Sequence, residues 1–278
     1  MQRDVLFIHA LSPLHVGIGQ MDDIIDLPIA RMQSTGIPIL PGSSIKGVLR
    51  DACSQDKKDK AKVHAVFGPE TENASEHAGA MVFGDARLLC LPVRSFCGTF
   101  AYVTSPLLLQ LATRDMEVSG MQPPAAIPSL LNSQIAYVSN NSCIGQNSQK
   151  ELQVYLQDLD LKATSDANTE KWANFLAEKI FDKTEERNAF KSRFIIVHDE
   201  IMTFLWETAM QIDTRVRLDA QTRTVAQGAL WMEESLPPET LLISVTATSM
   251  SRSQGTPMNP KEIREFVFGN EKYRIAQF

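Results

Sequence analysis

Short apolar runs rich in β-branched and aromatic residues recur along the whole chain, and the helical segments fall between them in no fixed order. Strands are expected over residues 5–10 (VLFIHA), twice within AMVFGDARLLCLPVRS, at the start of GTFAYVTSPLLLQLATRD, over Ile135–Val138 and residues 194–197, and in LLISVTATSM. Helices are expected from an N-cap at Ser43 or Ser44, over residues 58–67, from Pro106, over residues 168–190 with Trp172, Phe175, Leu176 and Ile180 on one face, after residue 197, and over KEIREFVFG. A doubly wound sheet requires regular strand–helix alternation, which this order lacks. An α+β fold built on an antiparallel sheet is the expectation. Residues 119–150, rich in Pro, Ser, Asn and Gln, read as surface loops around one short strand.

The stretch TRVRLDAQTRTVAQGALWMEE carries a second pattern. Val216 and Leu218 lie on one arm, Val225 and Leu230 on the other, with a polar centre between them, which is a hairpin signature. Arg215, Arg217 and Arg223 make it basic. Such an arm suits contact with a nucleic acid, and it equally suits a plain solvated hairpin.

Composition limits the class. With 278 residues, 44% of them hydrophobic and 22% charged, the chain can bury a full core. No apolar run is long enough to span a bilayer, and MQRDVLFIHA lacks the features of a secretory signal. None of the four cysteines forms C-x-x-C, so reduced cytoplasmic thiols are expected rather than a disulfide framework or a zinc knuckle. The net charge of −6 disfavours non-specific nucleic-acid binding and leaves room for a local basic groove.

Candidate chemistry concentrates near the N-terminus. Asp22, Asp23 and Asp26 follow a glycine-containing loop, where a carboxylate can act as a base, hold a hard cation such as Mg2+, or simply be solvated. His15 is suited to a phosphate contact, a proton shuttle or a structural hydrogen bond. Gly42-Ser43-Ser44-Ile45-Lys46-Gly47, followed by Arg50, places hydroxyls and cations at a helix start, where free amides and the helix dipole favour phosphate. It is not a Walker A loop, because Lys46 precedes Gly47. His64, His77 and His198 show no metal-ligand spacing, and no G-x-S-x-G elbow is present.

One long stretch, LSPLHVGIGQMDDIIDLPIARMQSTGIPILPGSSIKGVLRDAC, resembles the N-terminal region of RAMP proteins of CRISPR effector complexes. The matching pattern is L-[ST]-P-L-H-x-G-x-G, then D-x-P-I-x-R, then T-G-x-P-x-[IL]-x-G-S-S-[IL]-K-G-x-[LI]-R. FGPETENASEHAGAMVFGDARLL, LPVRSFCGTFAYVTSP, RVRLDAQTRTVAQGALWMEESLPPET and KEIREFVFG narrow the likeness to the repeated backbone subunit of the type III-B (Cmr) complex.

The resemblance implies a single RAMP domain over residues 1–278. It would have an RRM-like (ferredoxin-like) palm, an insertion over residues 115–190, and a β-hairpin thumb over residues 215–231. It implies crRNA, complementary target RNA, further copies of the chain and other Cmr-complex subunits as partners, with no membrane. Copies lined along the guide would interrupt the guide–target duplex at intervals, and a loop aspartate would cut the target there. The cutting acid falls on Asp26, with His15 and Glu233 beside it as further catalytic residues. Ser44, Lys46, Gly47 and Arg50 match guide-backbone contacts. Arg31, Arg215 and Arg217 are expected to join them in one basic groove. Two roles suit Asp26: accepting the 2′-hydroxyl proton or holding a divalent cation, most simply Mg2+. The metal role is favoured because an ordinary carboxylate is a weak base at neutral pH. Family members continue into a glycine-rich segment that touches the guide, whereas this sequence reads YRIAQF at its end, and Ser235 stands where an aromatic is sometimes found. A non-catalytic crRNA-binding scaffold is the competing expectation, and a stand-alone guide-processing ribonuclease is a third.

Overall fold

The structure is a computed structural model. It describes residues 1–19, 24–57, 59–73, 75–129, 132–144, 152–218, 221, 223 and 225–269. Asp22 and Asp23 lie outside the described residues.

In chain order the strands are β1 (Gln2–His9), β2 (Ile39–Leu40), β3 (Met81–Phe83), β4 (Ala86–Arg94), β5 (Phe100–Thr104), β6 (Ile135–Val138), β7 (Gln153–Leu156), β8 (Leu159–Ser165), β9 (Phe194–Ile196), β10 (Gln211–Leu218), β11 (Val225–Ser235) and β12 (Leu241–Thr248). The α-helices are α1 (Gly42–Lys57), α2 (Lys60–Phe67), α3 (Pro106–Val118), α4 (Ala167–Ile180), α5 (Thr184–Arg193), α6 (Asp199–Thr208) and α7 (Pro260–Phe268). The result is a mixed α+β fold.

One large sheet runs in the order β1-β12-β4-β5-β9-β6-β8-β7, with β2 also paired to β4 and β3 to β12. Most pairs are antiparallel; β5–β9 and β6–β8 are parallel, so the sheet is mixed rather than purely antiparallel. Residues 115–190 do not stand apart from it. They supply β6, β7 and β8, which continue the sheet beyond β9.

Both faces of the central strands are covered, which is why β4 and the first three residues of β12, Leu241–Ile243, read as apolar runs. On one face Leu88, Leu91 and Val93 pack with Leu49 of α1, Phe67 of α2, Trp206 of α6 and Ile263 of α7. On the other, Leu89, Cys90, Phe194 and Ile243 pack with Met116 of α3, Trp172 of α4 and Phe190 of α5. Burial pushes the Cys90 thiol far above its ordinary pKa, so it is inert as a nucleophile.

Two helix expectations are corrected. The segment 168–190 is two helices, because Phe181 leaves the helix to bury its ring against Tyr102 and Phe190. α1 begins at Gly42, before the serines. The Pro41 carbonyl accepts the Ser44 and Ile45 amides, and Asp85 Oδ1 accepts the Gly42 amide at 2.8 Å.

β10 and β11 form a two-stranded hairpin of their own, and it extends past both ends of the expected 215–231 span. The register shifts between Val216 and Leu218, a bulge that places Arg217 at the irregularity.

Candidate functional site

The root of the hairpin collects the candidate residues, and strand geometry explains why. In β11, Trp231, Glu233 and Ser235 lie opposite Arg215, Asp213 and Gln211 of β10. The main-chain groups of the intervening residues point away from β10, because antiparallel strands alternate the direction of their hydrogen bonds. Two loop segments take up those groups. Leu27 donates its amide to the Met232 carbonyl at 3.0 Å and accepts the Glu234 amide at 2.9 Å. Leu14 exchanges both bonds with Leu236, at 2.9 and 3.0 Å. The loops are tied to each other as well, since the Ala30 amide donates to the Val16 carbonyl at 2.7 Å. The root of β11 is thus the middle strand of a small three-way junction.

Asp26 sits at this junction, half-buried, with Oδ2 accepting the Met232 amide at 2.7 Å. His15 donates from Nδ1 to the Glu234 carbonyl at 2.6 Å. A carbonyl can only accept, so in the neutral ring Nε2 presents its lone pair. Gly17 lies against that edge: a Cβ there would be 2.6 Å from His15 Nε2.

Glu233 lies one residue along β11, and its Oε1 accepts from Arg215 Nη2 at 3.2 Å; Asp213 Oδ2 is 3.8 Å from the same nitrogen. The pattern puts Asp213, Arg215, Trp231 and Glu233 on one face of the hairpin. Ile212, Val216, Leu230 and Met232, all substantially exposed, lie on the other. Arg217 is exposed beyond them.

Arg31 departs from its expected place in an open basic groove. Its guanidinium donates to Glu234 Oε1 at 2.7 Å, the Trp206 carbonyl at 3.0 Å, the Gly36 carbonyl at 3.2 Å and Glu207 Oε1 at 3.4 Å. Those bonds make it an internal tie. Glu234, which the sequence reading passed over for its neighbour Glu233, is 4% exposed, and its other oxygen accepts the Ile29 amide at 3.0 Å. The available signal was alternation: Glu233 and Glu234 must face opposite ways, so one of them needs an internal cation.

Ser44, Lys46, Gly47 and Arg50 form a separate group on α1. Ile45, Leu49 and Cys53 bury the inner face of that helix, which leaves Ser43, Lys46, Gly47 and Arg50 within one outward arc, while the expected Ser44 lies off that arc, half-buried at its edge. Gly47 has open space where a side chain would be, while a Cβ on Gly42 would meet the Phe83 carbonyl oxygen at 2.2 Å. The chain links the two groups through a tight ladder: Met32 donates to Ile37, Ile39 donates to Ala30, and β2 leads directly into α1.

The remaining histidines have structural partners. His198 Nδ1 accepts the Glu200 amide and caps α6, and His77 bonds the His64 carbonyl. A second polar cluster, absent from the sequence reading, joins His9, Tyr102 and Glu239. Glu239 Oε2 accepts from His9 Nε2 at 2.8 Å and from the Tyr102 hydroxyl. The His9 hydrogen bond holds the Glu239 carboxyl below its ordinary pKa, while burial and the nearby carboxylate push Tyr102 up. The cluster borders a cavity of about 850 Å3 along β1, α4, α5 and α7, lined by neither Asp26 nor α1.

Among the described residues no group of three or more His, Cys, Asp or Glu is arranged to hold a metal ion. None of the helices is long and apolar enough to cross a membrane among those residues.

The site thus ties a glycine- and aspartate-bearing loop to the root of a two-stranded hairpin, with Lys46 and Arg50 half-buried on a separate helix and Arg50 donating to the Pro69 carbonyl at 3.4 Å. The chain matches the RAMP superfamily over residues 7–273 and belongs to it. Among curated relatives it is similar to the CRISPR system Cmr endoribonuclease Cmr4 of Pyrococcus furiosus, at 36% identity over 254 residues, covering 88% of this chain and 81% of that protein. It is also similar to the CRISPR system CMR subunit Cmr4 of Saccharolobus solfataricus, at 24% identity, covering 86% and 82%. Among solved structures, oligomeric Cmr4 from Pyrococcus furiosus superposes with a TM-score of 0.71 at 26% identity, covering 97% of this chain and 88% of that one. A type III-B Cmr-beta complex bound to cognate target RNA contains a chain of the same fold, with a TM-score of 0.67 at 22% identity, covering 91% and 86%.

Proposed function

We propose that this chain is a guide-RNA-binding backbone subunit of a type III-B CRISPR complex, assembling in several copies along the crRNA with other Cmr-complex subunits in the cytoplasm, and cutting bound target RNA at regular intervals. The observation that carries the reading is the tethering of Asp26 to the root of the hairpin through the Met232 amide. The part that would splay the duplex and the acid that would cut it are one unit. The similarity to a named Cmr endoribonuclease supports the activity. The strand–helix order β1–α1–β4 and β12–α7, with β12 lying between β1 and β4, supports an RRM-like palm.

The outward face of α1 is the proposed guide cradle. Lys46 and Arg50 supply charge, and the bare backbone at Gly47 lets a phosphate approach. Such contacts read the backbone and leave sequence choice to base pairing.

In A-form duplex the 2′-hydroxyl is held away from the line of attack on its own phosphate. A nucleotide splayed by the hairpin is released from that constraint. Its 2′-oxygen then bonds to phosphorus, the bond to the 5′-oxygen of the next nucleotide breaks, and that oxygen takes a proton. The products are a 2′,3′-cyclic phosphate and a 5′-hydroxyl. His15 Nε2 is oriented to accept or return a proton, through the bond that Nδ1 makes to Glu234. With Oδ2 engaged by Met232, Oδ1 is the oxygen Asp26 would offer, unengaged among the described residues. One carboxylate oxygen plus RNA phosphates is a donor set that Mg2+ accepts. Held there, Mg2+ would stabilise the charge that develops on the phosphoryl oxygens.

The test is target cleavage by the assembled, guide-loaded complex, wild type beside Asp26→Ala. Regularly spaced products from wild type alone are expected, with activity lost in chelator and restored by Mg2+. Identical products from both would remove Asp26 from the chemistry, and products from neither would favour a non-catalytic scaffold.

A further inference from the structure

Glu234 uses every polar group it has on the two loops that carry the proposed catalytic residues. Its amide donates to the Leu27 carbonyl at 2.9 Å, next to Asp26 in sequence. Its carbonyl accepts His15 Nδ1 at 2.6 Å. Its carboxylate accepts the Ile29 amide at 3.0 Å and the Arg31 guanidinium at 2.7 Å. Arg31 extends the lattice to the Trp206 carbonyl on α6 and to the Gly36 turn, at 3.0 and 3.2 Å. The Asp26 carboxylate accepts the Met232 amide of the same strand, its one polar contact among the described residues.

We propose that Glu234, clamped by Arg31, is a positioning residue for the cut: it sets the register of the 26–31 segment against the hairpin and the rotation of the His15 ring. The inference rests on the reading of Asp26 as the cutting acid. The clamp is intolerant by construction. Both donors point at a carboxylate, and a glutamine at this position has one accepting oxygen where two are needed. Its amide group would face either the Ile29 N–H or the guanidinium, donor against donor. The segment would then move by a fraction of an ångström to an ångström, and displacements of that size cost on the order of 10²-fold in rate when they fall on a reacting group.

The test is single-turnover cutting by the guide-loaded complex for wild type, Glu234→Gln, Arg31→Lys, Glu207→Gln and Asp26→Ala, with target affinity measured separately. Arg31→Lys keeps the charge and the fold's bulk but cannot reach several acceptors in one plane. Expected are a roughly 10- to 100-fold slower cut in Glu234→Gln and Arg31→Lys, target affinity within about twofold of wild type, and unchanged product spacing. Glu207→Gln, which alters only the exposed partner of Arg31, should cut like wild type. A wild-type rate in Glu234→Gln beside an inactive Asp26→Ala would overturn the positioning role and leave the Asp26 reading standing. A fully active Asp26→Ala would overturn that reading and this inference together. Loss of guide loading in step with loss of cutting in both clamp variants would make the pair merely structural and overturn the proposal.

Discussion

The Asp26 carboxylate accepts the main-chain amide of Met232 at 2.7 Å, across 206 residues of sequence. The donor is backbone, so the bond survives any side-chain change at position 232 short of proline. It makes the orientation of Asp26 a property of the β11 main chain.

Gly17→Ala places a methyl carbon 2.6 Å from His15 Nε2. The imidazole is the end of a side chain and can swing aside, so stability should change by no more than about 0.5 kcal/mol. The cut should nevertheless slow markedly, because the ring leaves the orientation set by Glu234. Thermal melting paired with single-turnover cleavage checks both halves. An unchanged rate would show that His15 serves only to order the loop.

The two glycines of α1 should respond in opposite ways. At Gly42 a Cβ meets the Phe83 carbonyl oxygen at 2.2 Å and Gly84 backbone at 2.9 Å, so Gly42→Ala should destabilise by about 1–3 kcal/mol. Gly47 faces open space in a helix interior, and Gly47→Ala should stabilise the free protein by about 0.5–1 kcal/mol. If guide RNA runs over this face, the same methyl weakens guide binding. Urea midpoints and guide titrations with Gly47→Ala separate these effects, and unchanged guide affinity would move the cradle elsewhere.

Lys46→Ala and Arg50→Ala test the cradle electrostatically. Each lost phosphate contact should flatten the dependence of log guide affinity on log salt by about 0.7. Both variants should weaken all guide sequences alike, because a backbone contact carries no base information. Binding measured at several salt concentrations gives the slope. A slope equal to wild type would mean that neither residue touches phosphate.

The Glu239 carboxyl is held below its ordinary pKa, first by the His9 hydrogen bond and then by the Tyr102 hydroxyl, against the opposing effect of burial. A depressed folded-state pKa means that the unfolded chain binds the proton more readily. The stabilisation is present above the ordinary carboxyl pKa and is lost as pH falls through the lower folded value. Melting of wild type and Glu239→Gln should therefore differ near neutral pH and converge on the acid side. A constant difference across that range would contradict the assignment.

Much of the fold was legible because its signals are local. The hairpin showed as alternation around a polar centre, and β6 occupies the expected Ile135–Val138. What failed was also informative. β7 and β8 were missed because Gln157 and Asp158 break the run where the chain turns, with Gln157 at φ 48°. The break between α4 and α5 depends on a pocket for Phe181 that no helical period reveals.

For the site, the chemical inventory was legible in residue types and spacing: an acid, a histidine, a glycine-bearing helix with cations and a basic hairpin, within a chain that matches the RAMP superfamily. Which of them meet depends on the folded chain. Arg31 has the chemistry of a cation for RNA, yet it bonds Glu234 across 203 residues of sequence. Side-chain type and spacing describe what a residue can offer. Whether the offer goes to solvent, substrate or a buried partner depends on strands brought together from opposite ends of the chain, and a buried carboxylate takes the nearest cation because leaving either charge unpaired there costs several kcal/mol, about 3–5 when one partner is removed.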